Sequence, residues 1–150
     1  MTISSVDLEN MIQGTWWLIS REDYNKDGQK RIDPVLGADP IAILVYAKKH
    51  FAAQFMKRDR SMESIIQATT AGQNNTAAIG GYDAYFGTYE IDEKTSMVAH
   101  TLTGSINPAN IGMTVYRNLH VEDDKLTIQL DTTTQEGEPV TRTLTWKKIV

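Results

Sequence analysis

GGYDAYFGTYEIDEKTSMVAHTLTGSINPANIGMTVYRN, residues 80–118, alternates with the period of two that β-strands impose. The turn-rich segments DEKT and GSINPANIG divide it into three strands. Val98, His100 and Leu102 share one parity, and Val115, Arg117 and Leu119 share another. A histidine and an arginine therefore point where their apolar neighbours point. That placement predicts strands wrapped around an interior not completely filled by side chains.

The same alternation extends outward to eight strands, at roughly 14–23, 41–47, 50–57, 83–92, 96–103, 112–121, 125–132 and 139–148. Leu126, Ile128 and Leu130 set the inward parity of the seventh strand, and Val140, Leu144 and Trp146 that of the eighth. A short helix is expected over SSVDLENMIQG, where Ser4 or Ser5 can cap, Asp7 and Glu9 favour the positive end and Gly14 suits the stop. A second short helix is expected before the fourth strand, in the segment around Met62, Ile65 and Ile66. The connections alternate long and short along the chain. In an up-and-down meander this collects the long ones at one rim and the tight turns at the other. An eight-stranded antiparallel barrel of this kind is just wide enough to be packed solid or to hold one small ligand.

Composition narrows the function. A chain of 150 residues is read as one domain, residues 1–150, able to bury a core of its own. A net charge of −4 without a basic run gives no footprint for nucleic acid or anionic lipid. No cysteine is present, which excludes disulfides, thiol nucleophiles and thiolate metal sites. Residues 1–17 have neither the basic nor the apolar region of a signal peptide, and no apolar run reaches membrane-spanning length. The expected address is cytoplasmic, with no membrane partner.

Other chemistries find little support. DYNKDGQ places Asp23, Asn25, Asp27 and Gly28 like the first half of a calcium loop. Its twelfth position is Pro34 rather than a bidentate glutamate, so an Asp-Gly turn at the barrel mouth is expected and no metal. His50, His100 and His120 show no metal spacing. There is no Gly-x-Ser-x-Gly elbow and no phosphate-cradling glycine loop, so no cofactor is expected.

The strands also carry a familiar signature. Gly14-Thr15-Trp16, after a short helix and opening the first strand, resembles the Gly-x-Trp motif of lipocalins. In that fold the tryptophan plugs the closed end and a basic residue of the last strand packs over its ring, a role that would fall to Lys148 here. The series GTWWLIS, ILVYAKKHFAAQFM, GGYDAYFGTYEIDE, VAHTLTGSINPANIGMTVYRNL and DDKLTIQL, ending in LTWKK, resembles the bacterial and fungal lipocalin-like domain family over nearly the whole chain. The chain departs from that texture at Lys49, where glycine is usual, and at Ala109 between Pro108 and Asn110. The resemblance implies a small barrel with an internal cavity, and no single activity.

With symmetric turns, His100 lies opposite Gly87 and Val115, and Arg117 opposite Val98, which itself faces Tyr89. Gly87 would leave space beside His100. His100, Arg117, Tyr85, Tyr89 and Gly87, with Tyr46 and Ser20, form the expected ligand-binding set. Arg117 suits a carboxylate, enolate or phenolate, and His100 a hydrogen bond or a proton. The favoured function is binding of a small, largely apolar or aromatic metabolite. The alternative is a cofactor-independent isomerase, cyclase or hydro-lyase with His100 or Glu22 as base and Arg117 steadying negative charge. A third reading is a filled barrel that only binds another protein, in which Arg117 and His100 satisfy each other and the tyrosine hydroxyls. Trp17, Phe86 and Tyr116 fall on the outward parity, where a homodimer contact is one use for them.

Overall fold

A computed structural model describes residues 5–62, 78–92, 94–95, 97–134 and 136–149. Helix α1 (Ser5–Ile12) is followed by β1 (Gly14–Tyr24), β2 (Lys30–Arg31), β3 (Ile41–Tyr46), β4 (His50–Met56) and β5 (Tyr82–Ile91). Then come β6 (Met97–Ser105), β7 (Thr114–Glu122), β8 (Lys125–Thr133) and β9 (Pro139–Ile149). Antiparallel pairing runs β1-β3-β4-β5-β6-β7-β8-β9, and β1 pairs with β9 to close an eight-stranded barrel. β2 is one strand more than the alternation announces, a two-residue hairpin arm on the end of β1. The helix expected before the fourth strand falls mainly on residues 63–77, outside the described residues.

One end of the barrel is plugged. Leu8 and Ile12 of α1 are buried there with Trp16, whose indole N–H donates to the Ile12 carbonyl at 2.8 Å. Lys148 Nζ lies 5.5 Å from the centre of the Trp16 ring. Gly14 makes that contact possible: it sits at φ +139°, and a Cβ there would lie 2.7 Å from Lys148 Cε. The glycine and tryptophan of the motif are thus coupled through the lysine. Lys49 takes the left-handed conformation, φ +68°, in the β3–β4 turn, which explains why glycine suits that position. Its ammonium pairs with Glu9 of α1 at 3.3 Å.

Two bulges alter what alternation predicts. Between Leu18 and Ser20 the β1–β9 register shifts by one residue. Ile19 is exposed, and from there the faces exchange: Arg21 and Asp23 are buried inside the barrel, while Ser20 and Glu22 lie on the outer face. The second bulge lies between Phe86 and Gly87 and leaves Thr103 of β6 as the extra residue. His100 is therefore opposite Tyr89 rather than Gly87, and Val98 opposite Ile91 rather than Tyr89. The other side of β6 is paired as expected, His100 with Val115 and Val98 with Arg117. Gly87 leaves no space for a ligand. A Cβ there would stand 1.8 Å from the Thr101 carbonyl oxygen, so the glycine admits the neighbouring backbone. Gly87→Ala is expected to cost about 3 kcal/mol, the upper range for forced overpacking against backbone, measurable by urea denaturation.

The barrel wall has a gap. The β7–β8 ladder runs from Asn118↔Gln129 to Glu122↔Lys125 and stops. Thr114–Arg117 remain paired to β6 only as far as Thr114, and Leu130–Thr133 remain paired to β9. Above Asn118 the two strands thus face each other unpaired across a lateral seam.

Candidate functional site

The strands enclose a cavity of about 920 Å³. Its inner part is aromatic. The His100 ring meets Phe51 edge-on at 4.5 Å and Tyr46 at 5.7 Å, while Tyr85 stacks on Phe55 at 6.3 Å. Tyr46 hydroxyl and His100 Nε2 share a 2.6 Å hydrogen bond. Burial, then the field of Arg117, pushes the His100 imidazole down to about 3, so it is neutral at physiological pH. Burial likewise raises the Tyr46 hydroxyl well above its ordinary range. This pair is a neutral hydrogen-bonding unit and a poor base.

The mouth is charged. Arg142 grips both carboxylate oxygens of Asp23, at 2.8 and 3.0 Å, and Arg21 stands 3.6 Å from Asp33. Burial, then Arg142, lowers the Arg21 guanidinium to about 10. Asp33 also accepts from the backbone N–H groups of Val35 and Leu36, which folds the first long connection inward and buries Leu36 against the cavity. The half-formed calcium loop is accounted for here: Asp23 turns inward to Arg142, and Asn25 closes the turn by accepting from the N–H groups of Asp27 and Gln29. Among the described residues no three metal-capable side chains cluster.

Arg117 and Asp83 stand apart from these pairs. Arg117 lines the cavity beside the seam and donates to its neighbour's carbonyl, Tyr116 O, at 3.0 Å. No carboxylate lies within ion-pair distance of it among the described residues, and burial lowers its guanidinium. Its side-chain bond does not go to His100, whose partner is the Tyr46 hydroxyl. Asp83, on the inner face of β5, is 5% exposed and also lines the cavity. Burial lifts its carboxyl from 3.8 to about 7, against a smaller pull from the Ala84 backbone and Arg21. Burial and then Asp83 raise the Tyr85 hydroxyl to about 12, with Arg117, Arg142 and Arg21 opposing them. Tyr85 therefore lies within the fields of both Asp83 and Arg117.

Of the residues the sequence singled out, Tyr46, Tyr85, His100 and Arg117 converge on the cavity. Tyr89 is buried behind them, its hydroxyl donating to the Ala47 carbonyl at 2.7 Å. Gly87 faces backbone, and Ser20 and Glu22 lie outside, so Glu22 is not placed to act as the base. Arg21, Asp83 and Arg142 were not anticipated. Asp83 shares the parity of Tyr85, and Arg142 lies between Val140 and Leu144; the parity that identified Arg117 identifies both.

No helix among the described residues is long and apolar enough to cross a membrane. A family model described as a lipocalin-like domain matches residues 13–149, in agreement with the motifs read from the sequence. No curated protein matches the chain.

Proposed function

Because the chain belongs to the lipocalin-like domain family, we propose that it holds a small, largely apolar or aromatic molecule with one anionic or strongly accepting group inside the barrel. The observation that carries this reading is Arg117, a cavity-lining guanidinium whose side-chain bond goes to the carbonyl of the preceding residue, Tyr116, instead of a carboxylate. Aromatic walls from Tyr46, Phe51, Phe55, Tyr85 and Trp146 suit a flat hydrophobic body. The Arg117 fork suits a carboxylate, enolate or phenolate. The Tyr46–His100 pair offers a neutral polar contact at the inner end.

Anthracene-2-carboxylate and its carboxamide test this reading by fluorescence. The carboxylate is expected to bind about tenfold more tightly, the size of a charge-assisted hydrogen bond over a neutral one. Arg117→Met should erase that preference and change stability by less than about 1 kcal/mol, since the bond it removes is one exposed contact to a carbonyl. Equal affinities in the wild type, or a preference that survives the substitution, would count against it.

A further inference from the structure

Two arginines at the mouth are matched by two aspartates, yet a third aspartate, Asp83, has no ion-pair partner among the described residues. Its side chain is more than nine-tenths buried and reaches the cavity. A carboxylate in that position normally carries a counter-ion, because desolvating an unpaired charge is costly. The Asp83 side chain accepts from the Ala84 backbone N–H, and no cationic side chain pairs with it among the described residues. We propose that Asp83 is the acid–base residue of a cofactor-independent proton transfer at a carbon next to a carbonyl, with Arg117 and Tyr85 holding the oxygen. This inference rests on the cavity binding a small apolar molecule.

The step balances without a co-reactant. An Asp83 carboxylate oxygen takes the α-proton, and the C–H pair becomes the C=C bond of an enolate. The carbonyl π pair moves to oxygen, whose negative charge faces the Arg117 guanidinium and the Tyr85 hydroxyl. The protonated Asp83 then returns the proton to the α-carbon or to the far end of a conjugated system, which isomerises the substrate. A carboxyl near neutral pH, at about 7, is suited to both halves of that exchange. Its surroundings set this value from every side. Arg21 faces it from β1, Asp33 from the loop beyond and Arg142 from β9, the Ala84 backbone N–H and Tyr85 come from its own strand, and Phe55 lies opposite it on β4. The substrate class is thus an enolisable ketone on a flat apolar or aromatic body.

The test uses 2-tetralone in D₂O, with loss of the α-proton signal followed by NMR and binding followed separately by saturation transfer. Wild-type protein is expected to accelerate exchange by about a hundredfold over buffer. The rate should rise with pH through a midpoint near 7, as the carboxylate form appears. Asp83→Asn should retain the saturation-transfer signal and reduce exchange to the buffer rate. Binding without accelerated exchange, or exchange that persists in Asp83→Asn, overturns the assignment of Asp83 and leaves the binding reading intact. Absence of saturation transfer overturns the binding reading, and this inference with it.

Discussion

Trp16→Ala is expected to lower the free energy of unfolding by about 3–5 kcal/mol, the range for removing a fully buried aromatic from a core. The loss has three parts that act together. The ring fills the closed end beneath Leu8 and Ile12, its N–H satisfies the Ile12 carbonyl, and its face receives Lys148. Trp17, one residue on and 44% exposed, provides the internal comparison. Trp17→Ala should cost well under half as much in urea titrations of dilute protein. The reverse ranking would overturn the placement of the closed end. Because Gly14, Trp16 and Lys148 form one unit, Gly14→Ala should also weaken the plug by displacing the lysine from the ring.

A second large effect depends on pH. Asp83 binds its proton more tightly folded, at about 7, than unfolded, near 3.8. Below pH 3.8 both forms are protonated and the residue contributes no pH dependence. As pH rises from there, the unfolded chain releases a proton that the folded chain keeps, and stability falls by about 1.4 kcal/mol per unit until pH reaches about 7. Above that point the penalty is complete, at roughly 4 kcal/mol. Asp83→Asn has no such penalty. Its stability relative to wild type should therefore be greater at pH 8.5 than at pH 4 by about that amount, as read from denaturant midpoints at the two values. A constant difference across the range would mean that Asp83 is not desolvated as the structure places it.

The sequence and the fold agree where period two holds and part where it breaks. His100 and Arg117 were legible because Val98, Leu102, Val115 and Leu119 fix the parity of β6 and β7 without interruption. The plug was legible because Gly14, Trp16 and Lys148 are local to two strand ends. Glu22 and Ser20 were misplaced for one reason: Ile19 is an extra residue on the outer face, and nothing about an isoleucine between Leu18 and Ser20 announces a bulge. Gly87 was misread in the opposite sense, since an absent side chain can make room for a ligand or for backbone, and the Thr103 bulge decides for backbone. The long-range ion pairs have no local signature: Asp23 meets Arg142 because closure of the barrel sets them opposite each other on β1 and β9, and Asp33 reaches Arg21 because the first long connection folds inward. Asp83 required only that the parity of β5 be applied to a carboxylate.

The unpaired stretch between β7 and β8 bears on rates more than on affinities. In a barrel whose ladder is complete, a molecule passes the wall only after several backbone hydrogen bonds break, so its residence time includes the opening of the shell. Here Thr114–Arg117 and Leu130–Thr133 have no bonds between them to break. Exchange of the contents is thereby separated from the stability of the container. On the proposed binding mode, a molecule inside would stay only as long as its own contacts hold, chiefly that proposed to Arg117 beside the seam, and a more stable shell would not retain it longer.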